Sequence, residues 1–257
     1  MPSYAVLGAT GNTGLSLLTI LSQSPSNSIH AYCRSKSKLL RLHPSSSTNE
    51  RIKIYEGALE DVSLISSCIS GTRAVFLAVA LSDNKPACTI AQDTARVVVA
   101  ALEKLRRDEP NAKLPRLVVL SSASLSAHLS RSLPRVVHWL LLACASHVYA
   151  DLAKAETYLR SQSSWISTTF VKPGGLVHDA QKGHELSTER QVTFLSFLDL
   201  AAGMVEIADA EGEGWDGRDV SVVPTAEDVR VEWWAPYYLF RGLLFHFFPS
   251  AYPLLGS

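Results

Sequence analysis

Tyr4-Ala5-Val6-Leu7-Gly8-Ala9-Thr10-Gly11-Asn12-Thr13-Gly14, near the start of a 257-residue chain, decides the reading of the fold. A short apolar run ends in glycine, and two more glycines follow at three-residue spacing. Residues 13–22 then place apolar side chains at helical intervals. That order predicts a strand, a tight turn and a helix. Glycine lets the chain turn sharply and lets backbone N–H groups approach a pyrophosphate. The helix that follows points its positive N-terminus at the phosphates. The loop therefore reads as a nucleotide cradle, against the plainer alternative of a structural turn.

Working outward, short apolar strands alternate with helical segments. Strands are predicted at 29–33, 52–55, 74–80, 117–120 and 166–171, and helices at 63–69, 87–107 and 134–160. Asp61 is placed to cap the helix at 63–69. Residues 34–36 read as a turn and 42–49 as a polar loop. After Pro173-Gly174-Gly175 the alternation weakens into a polar loop at 178–190, a helix at 196–208 and an aromatic C-terminal segment. Repeated strand–helix units build parallel sheets through right-handed crossovers, so the expectation is an α/β, doubly wound parallel sheet. One domain spans 1–257, with 176–257 as its substrate-side portion.

Composition narrows the function. Hydrophobic residues make up 47% and charged residues 19%, enough for a large core. Lys and Arg number 24 and Asp and Glu 24, and a net charge of zero argues against a nucleic-acid binder. Cys33, Cys68, Cys88 and Cys144 stand singly, with no CxxC and no metal-ligand spacing, a pattern that suits a reducing, cytoplasmic setting. The N-terminus lacks the basic region of a signal peptide. The apolar stretch at 233–255 is interrupted by Pro236, Pro249, Pro253 and Arg241, so no transmembrane anchor is expected.

Arg34 closes the second strand, where dinucleotide folds meet the adenosine ribose. An acid there would accept from a 2′-hydroxyl, whereas arginine pairs with a 2′-phosphate. The run Arg34-Ser35-Lys36-Ser37-Lys38 is basic with no acid, which favours NADP(H) over NAD(H). Lys36 and Lys38 also fit a solvated basic turn.

With these residues in hand, the chain resembles the short-chain dehydrogenase/reductase superfamily, in its atypical, NmrA-like branch. The likeness rests on GATGNTG, Gly57-Ala58-Leu59-Glu60-Asp61, Ala78-Val79-Ala80, Leu120-Ser121-Ser122-Ala123, Lys154-Ala155-Glu156 and Val171-Lys172-Pro173-Gly174-Gly175. It covers about residues 1–180, and several pieces resemble fungal members. The resemblance implies a Rossmann fold with NADP(H) across the C-terminal edge of the sheet. It would touch Gly8, Thr10, Gly11, Asn12, Thr13, Gly14, Arg34, Ser35, Leu59, Ala78, Val79, Ala80, Lys154, Pro173 and Gly174.

The superfamily's usual chemistry uses Ser, Tyr and Lys, the last two as Tyr-x-x-x-Lys on one helix. Ser122 and Lys154 match the serine and lysine. Tyr149 lies five residues before Lys154, and Ala150 holds the matching position. On a continuous helix, residues five apart diverge by about 140°. Tyr149 reaches the site only if the helix begins late or is distorted there. Histidines are the other candidates for proton transfer: His178, His184 and His147, with His138 read as a packing residue.

The stretch from Trp233 to Phe248 is rich in large rings. It reads as core packing under the sheet edge, as a lid, substrate wall or homodimer surface, or as a peripheral membrane patch. The expected function is an NADP(H)-binding oxidoreductase for a hydrophobic carbonyl, enone or imine in specialised metabolism. The alternatives are an isomerase or cyclase that retains NADP(H), and an NADP(H)-sensing regulator.

Overall fold

Strands that are apolar on both faces need cover on both sides, and successive crossovers supply it. The computed structural model describes residues 1–81, 83–212, 214–226, 228 and 235–256. In chain order come β1 (Ser3–Leu7), α1 (Asn12–Gln23), β2 (Ser28–Cys33), α2 (Lys36–Leu42), β3 (Ile52–Glu56), α3 (Val62–Ile69) and β4 (Ala74–Leu77). Then follow α4 (Ile90–Asp108), β5 (Arg116–Leu120), α5 (Arg135–Cys144), α6 (Ser146–Arg160), β6 (Thr168–Val171) and β7 (Leu176–Val177). The chain continues with β8 (His184–Ser187), β9 (Leu195–Ser196), α7 (Phe197–Asp209), β10 (Asp219–Pro224), α8 (Ala235–Phe247) and α9 (Tyr252–Leu255).

The central sheet has the order β3-β2-β1-β4-β5-β6-β10-β8. Its neighbours run parallel except β10 with β8. Successive side chains enter opposite layers. Ala5 and Leu7 pack with Val98, Leu102 and Leu159 from the helices on one face. Tyr4 and Val6 pack with Leu17, Leu21 and Met204 on the other. Strand order reverses between β1 and β4, which opens a crevice at their C-terminal ends, where doubly wound sheets bind ligands.

The structure corrects the sequence reading in five places. The strand expected at 74–80 ends at Leu77, leaving 78–80 as open chain at the crevice. Residues 36–42 form α2 rather than continuing a turn, because the Ser35 hydroxyl accepts from the Lys38 N–H at 3.2 Å and caps it. The polar loop at 178–190 contains β8, which pairs with β10 and extends the sheet.

The fourth correction bears on the site. The single helix expected at 134–160 is two, α5 and α6, bent by 90°. Helix α8 enforces the break. A Cβ on Gly242 would lie 2.1 Å from the Cys144 carbonyl oxygen, so only glycine permits that approach. Asn84 donates to the Gly242 carbonyl at 3.0 Å and accepts from the His147 N–H at 2.8 Å. His246 bonds the Ser146 hydroxyl at 2.9 Å. No single described helix is long and apolar enough to cross a membrane.

The fifth concerns the aromatic C-terminus. Helix α8 packs on α5, not beneath the sheet edge. Phe245 is fully buried, while Tyr237, Tyr238, Phe240, Phe247 and Phe248 are exposed. Trp233 and Trp234 lie outside the described residues.

Candidate cofactor and active site

Two glycines of the N-terminal loop are dictated by geometry. Gly8 has φ +94°, and a Cβ there would lie 2.6 Å from the Ala78 carbonyl oxygen. A Cβ on Gly14 would lie 2.1 Å from the Gly8 carbonyl oxygen. The loop therefore turns tightly between β1 and β4, with α1 pressed close behind it. Helix α1 has Gly11 at its N-cap and so no side-chain cap, and Gly11 and Asn12 are exposed. Its first-turn N–H groups, left without a side-chain partner at the positive end of the helix, suit a pyrophosphate. Thr10 is half-buried and Thr13 is buried beside them.

The other expected cofactor residues surround this cradle unevenly. The Ala9 N–H donates to the Tyr32 carbonyl at 3.2 Å, tying the loop to the end of β2. Arg34 follows there, exposed, and its side chain makes no hydrogen bond or ion pair with any described residue. Ser35 is committed to capping α2. Ala78 is buried, Val79 half-buried and Ala80 exposed along the outlet of β4. Leu59 is buried in the core, next to Asp61, which caps α3 by accepting from the Leu64 N–H at 2.9 Å.

A second group of expected site residues gathers where β5 and β6 finish. Their ladder continues past both strands, with the Ser121 N–H donating to Val171 at 2.8 Å and the Ala123 N–H to Pro173 at 2.9 Å. Between them, the Ser122 hydroxyl donates to the Tyr149 hydroxyl at 3.1 Å. Tyr149 lies in the first turn of α6, half-buried against the core. Lys154 is exposed further along α6 and makes no hydrogen bond or ion pair with any described residue. The structure thus brings Ser122 and Tyr149 together and leaves Lys154 on open surface.

The histidines divide. His138 is half-buried and donates to the Ser124 carbonyl at 2.9 Å. His147 reaches the Phe245 carbonyl at 3.4 Å, on α8. His184 sits on β8 and pairs with Glu206 at 2.9 Å. His178 is exposed, with its ring 4.8 Å from that of Phe197. Among the described residues no group of three or more His, Cys, Asp or Glu could hold a metal ion. The four cysteines are free thiols. Burial pushes the Cys68 thiol up to about 12, and burial with the Asp151 carboxylate pushes Cys88 up to about 11.

Three supporting features were not apparent from the sequence. Lys172 is buried and bonds Glu156 at 2.8 Å, with Asp219 at 3.3 Å, while the Ser121 hydroxyl donates to the other Glu156 oxygen. This network fixes the strand ends from which Ser122 and Pro173 emerge. Asp151, also buried, accepts from the Ala91 and Gln92 N–H groups at 2.9 and 3.1 Å and from the Gln92 amide, which secures α6 to the start of α4. Phe194 has φ +69° in a segment passing over β6, where a Cβ on Gly174 would meet the Val192 carbonyl at 2.5 Å. A bulky residue in the left-handed region is a strained position of the kind that gathers at ligand sites.

The profile of the NAD(P)H-binding family matches residues 8–211, from the glycine loop through α7. The chain belongs to this NAD(P)H-binding family. It is 55% identical over 257 residues to the oxidoreductase aflX of Aspergillus parasiticus, covering 100% of this chain and 96% of that one. It is 54% identical to the oxidoreductase stcQ of Emericella nidulans, covering 100% and 95%. A short-chain dehydrogenase/reductase of Veillonella parvula in complex with NADP superposes with a TM-score of 0.69 at 20% identity, over 88% of this chain and 95% of that one. As a member of the NAD(P)H-binding family with a short-chain-type Rossmann fold, the protein is an oxidoreductase with a nicotinamide cofactor.

Proposed function

We propose that this protein is an NADP(H)-dependent reductase for a hydrophobic carbonyl, enone or imine, serving fungal specialised metabolism. The observation that carries the reading is the Ser122–Tyr149 hydrogen bond at the substrate end of a crevice whose other end is a phosphate cradle. When bound, the cofactor supplies the hydride. The uncapped start of α1 would hold its pyrophosphate, Arg34 its 2′-phosphate, and Ala78–Ala80 with Pro173-Gly174 its nicotinamide half. Lys154, unpaired among the described residues, would contact the nicotinamide ribose.

Ser122 donates to the Tyr149 oxygen, so the phenolic hydrogen of Tyr149 is left to point elsewhere. It is positioned to donate to the substrate oxygen or nitrogen as charge develops there. Tyr149 would then do the acid work despite its shifted spacing, because its hydroxyl still meets Ser122. His178, exposed on the same side of the sequence after Pro173-Gly174, would relay the proton to solvent. Support for an apolar substrate comes from the neighbouring α5, whose one charged residue is Arg135.

The test is NADPH consumption against a panel of apolar carbonyls, enones and imines. Tyr149→Phe should lower kcat by ~10²- to 10⁴-fold with NADPH affinity unchanged, and Ser122→Ala should lower it less. Full activity in Tyr149→Phe would remove this tyrosine from proton transfer. Substrate rearranged without net NADPH consumption would replace the reductase with an isomerase or cyclase.

A further inference from the structure

Helices α5, α8 and α9 carry an apolar surface that no described residue covers. Val136 and Trp139 on α5, Phe240 and Phe247 on α8, Phe248 just beyond it and Leu254 on α9 are each more than half exposed. Single apolar side chains in water are ordinary, whereas a cluster of this size marks an interaction surface. Helices α5 and α8 pack on one another through Gly242 and Cys144. Phe240 and Phe247, seven residues apart, share one face of α8.

Charge selects the occupant. Residues 135–144 and 235–256 include no Asp or Glu, while Arg135, Arg241, His138 and His246 are all basic. Arg241 is paired with Asp83 at 2.9 Å. Arg135 is exposed next to Val136 and makes no hydrogen bond or ion pair with any described residue. In a two-fold dimer through this face, residues 135–144 and 235–256 of the second copy would offer the exposed Arg135 no carboxylate. An anionic bilayer matches both features: aromatic and aliphatic side chains enter the boundary between headgroups and acyl chains, and arginine meets lipid phosphate. We propose that α5, α8 and α9 form an interfacial surface that docks the protein on anionic lipid, without spanning the membrane.

The full chain, sedimented with phosphatidylcholine vesicles with and without phosphatidylserine, tests this. The protein should pellet with the phosphatidylserine vesicles, less with phosphatidylcholine alone, and less again in high salt. The double variant Phe240→Glu/Phe247→Glu should lose at least ~10-fold in partitioning, since it withdraws two rings from the interface and adds like charge to the lipid. Both positions are exposed, so the variant should keep its thermal melt and its NADPH binding. Arg135→Ala should weaken only the phosphatidylserine-dependent part. A wild-type chain that stays in the supernatant with both lipids overturns the proposal, as does a double variant that pellets like wild type. A concentration-dependent dimer, abolished by the double variant in a chain that ignores vesicles, would assign the face to a second copy instead.

Discussion

Lys172 shows how a single side chain can hold the site in register. Its ammonium is buried at the end of β6 and its charge is met by Glu156 and Asp219. Removing one partner of a buried pair leaves the other charge uncompensated, at ~3–5 kcal/mol. Lys172→Met should therefore lose stability on that scale in denaturant titrations, and adding Glu156→Gln should recover part of it. A Lys172→Met variant as stable as wild type would dissolve the network. His30 gives a pH signature. Its ordinary pKa of 6.5 is lowered, chiefly by burial, with Lys53 adding to the effect and the bond to the Cys68 carbonyl opposing it. The unfolded chain then takes up a proton before the folded one does, so this stability is present above about pH 6.5 and is lost as pH falls toward the lower folded value. His43 is lowered in the same direction, again by burial. His30→Gln should flatten part of the fall in stability between neutral and mildly acid pH, measured by melts across that range.

At the scale of elements, the break between α5 and α6 sets where α6 begins. Apolar residues keep helical spacing straight through 134–160, so the sequence shows nothing that interrupts it. The partners that impose the break, Asn84, Gly242 and His246, are distant in the chain. Tyr149 and Lys154 both lie within α6, where residues five apart diverge by about 140°, in keeping with Tyr149 at Ser122 and Lys154 exposed. With α6 starting at Ser146, Tyr149 meets Ser122. Gly242→Ala would drive a methyl group into the Cys144 carbonyl, which cannot yield as a side-chain end would. It should cost ~1–3 kcal/mol and lower kcat more than it changes cofactor affinity. Unchanged kcat would separate α8 from the placing of Tyr149. Strand β8 escaped notice because it is short and polar, and α2 because its cap, Ser35, sits in a basic run that also reads as a turn.

For the whole molecule, what could be read from the sequence was what is local. Strands β1 to β6 are short and mostly apolar, and the glycine loop writes its strand, turn and helix contiguously, so the parallel sheet and the tight glycine turn followed directly. The Ser122–Tyr149 hydrogen bond and the buried Lys172–Glu156 pair join residues far apart in the chain, and only the folded strand ends bring them together. The C-terminal aromatic segment carried no register of its own, and its seat on α5 follows from a glycine's close approach.

The proposed crevice would hold NADP(H) through the glycine loop and Arg34. Equilibrium titration with NADPH, NADP⁺, NADH and NAD⁺, for wild type and Arg34→Ala, is the decisive measurement. Wild type should clearly prefer the phosphorylated pair, and Arg34→Ala should lose that preference at ~1–3 kcal/mol while NAD(H) affinity barely moves. Equal affinity for all four dinucleotides, or an Arg34→Ala variant that keeps the preference, would contradict it.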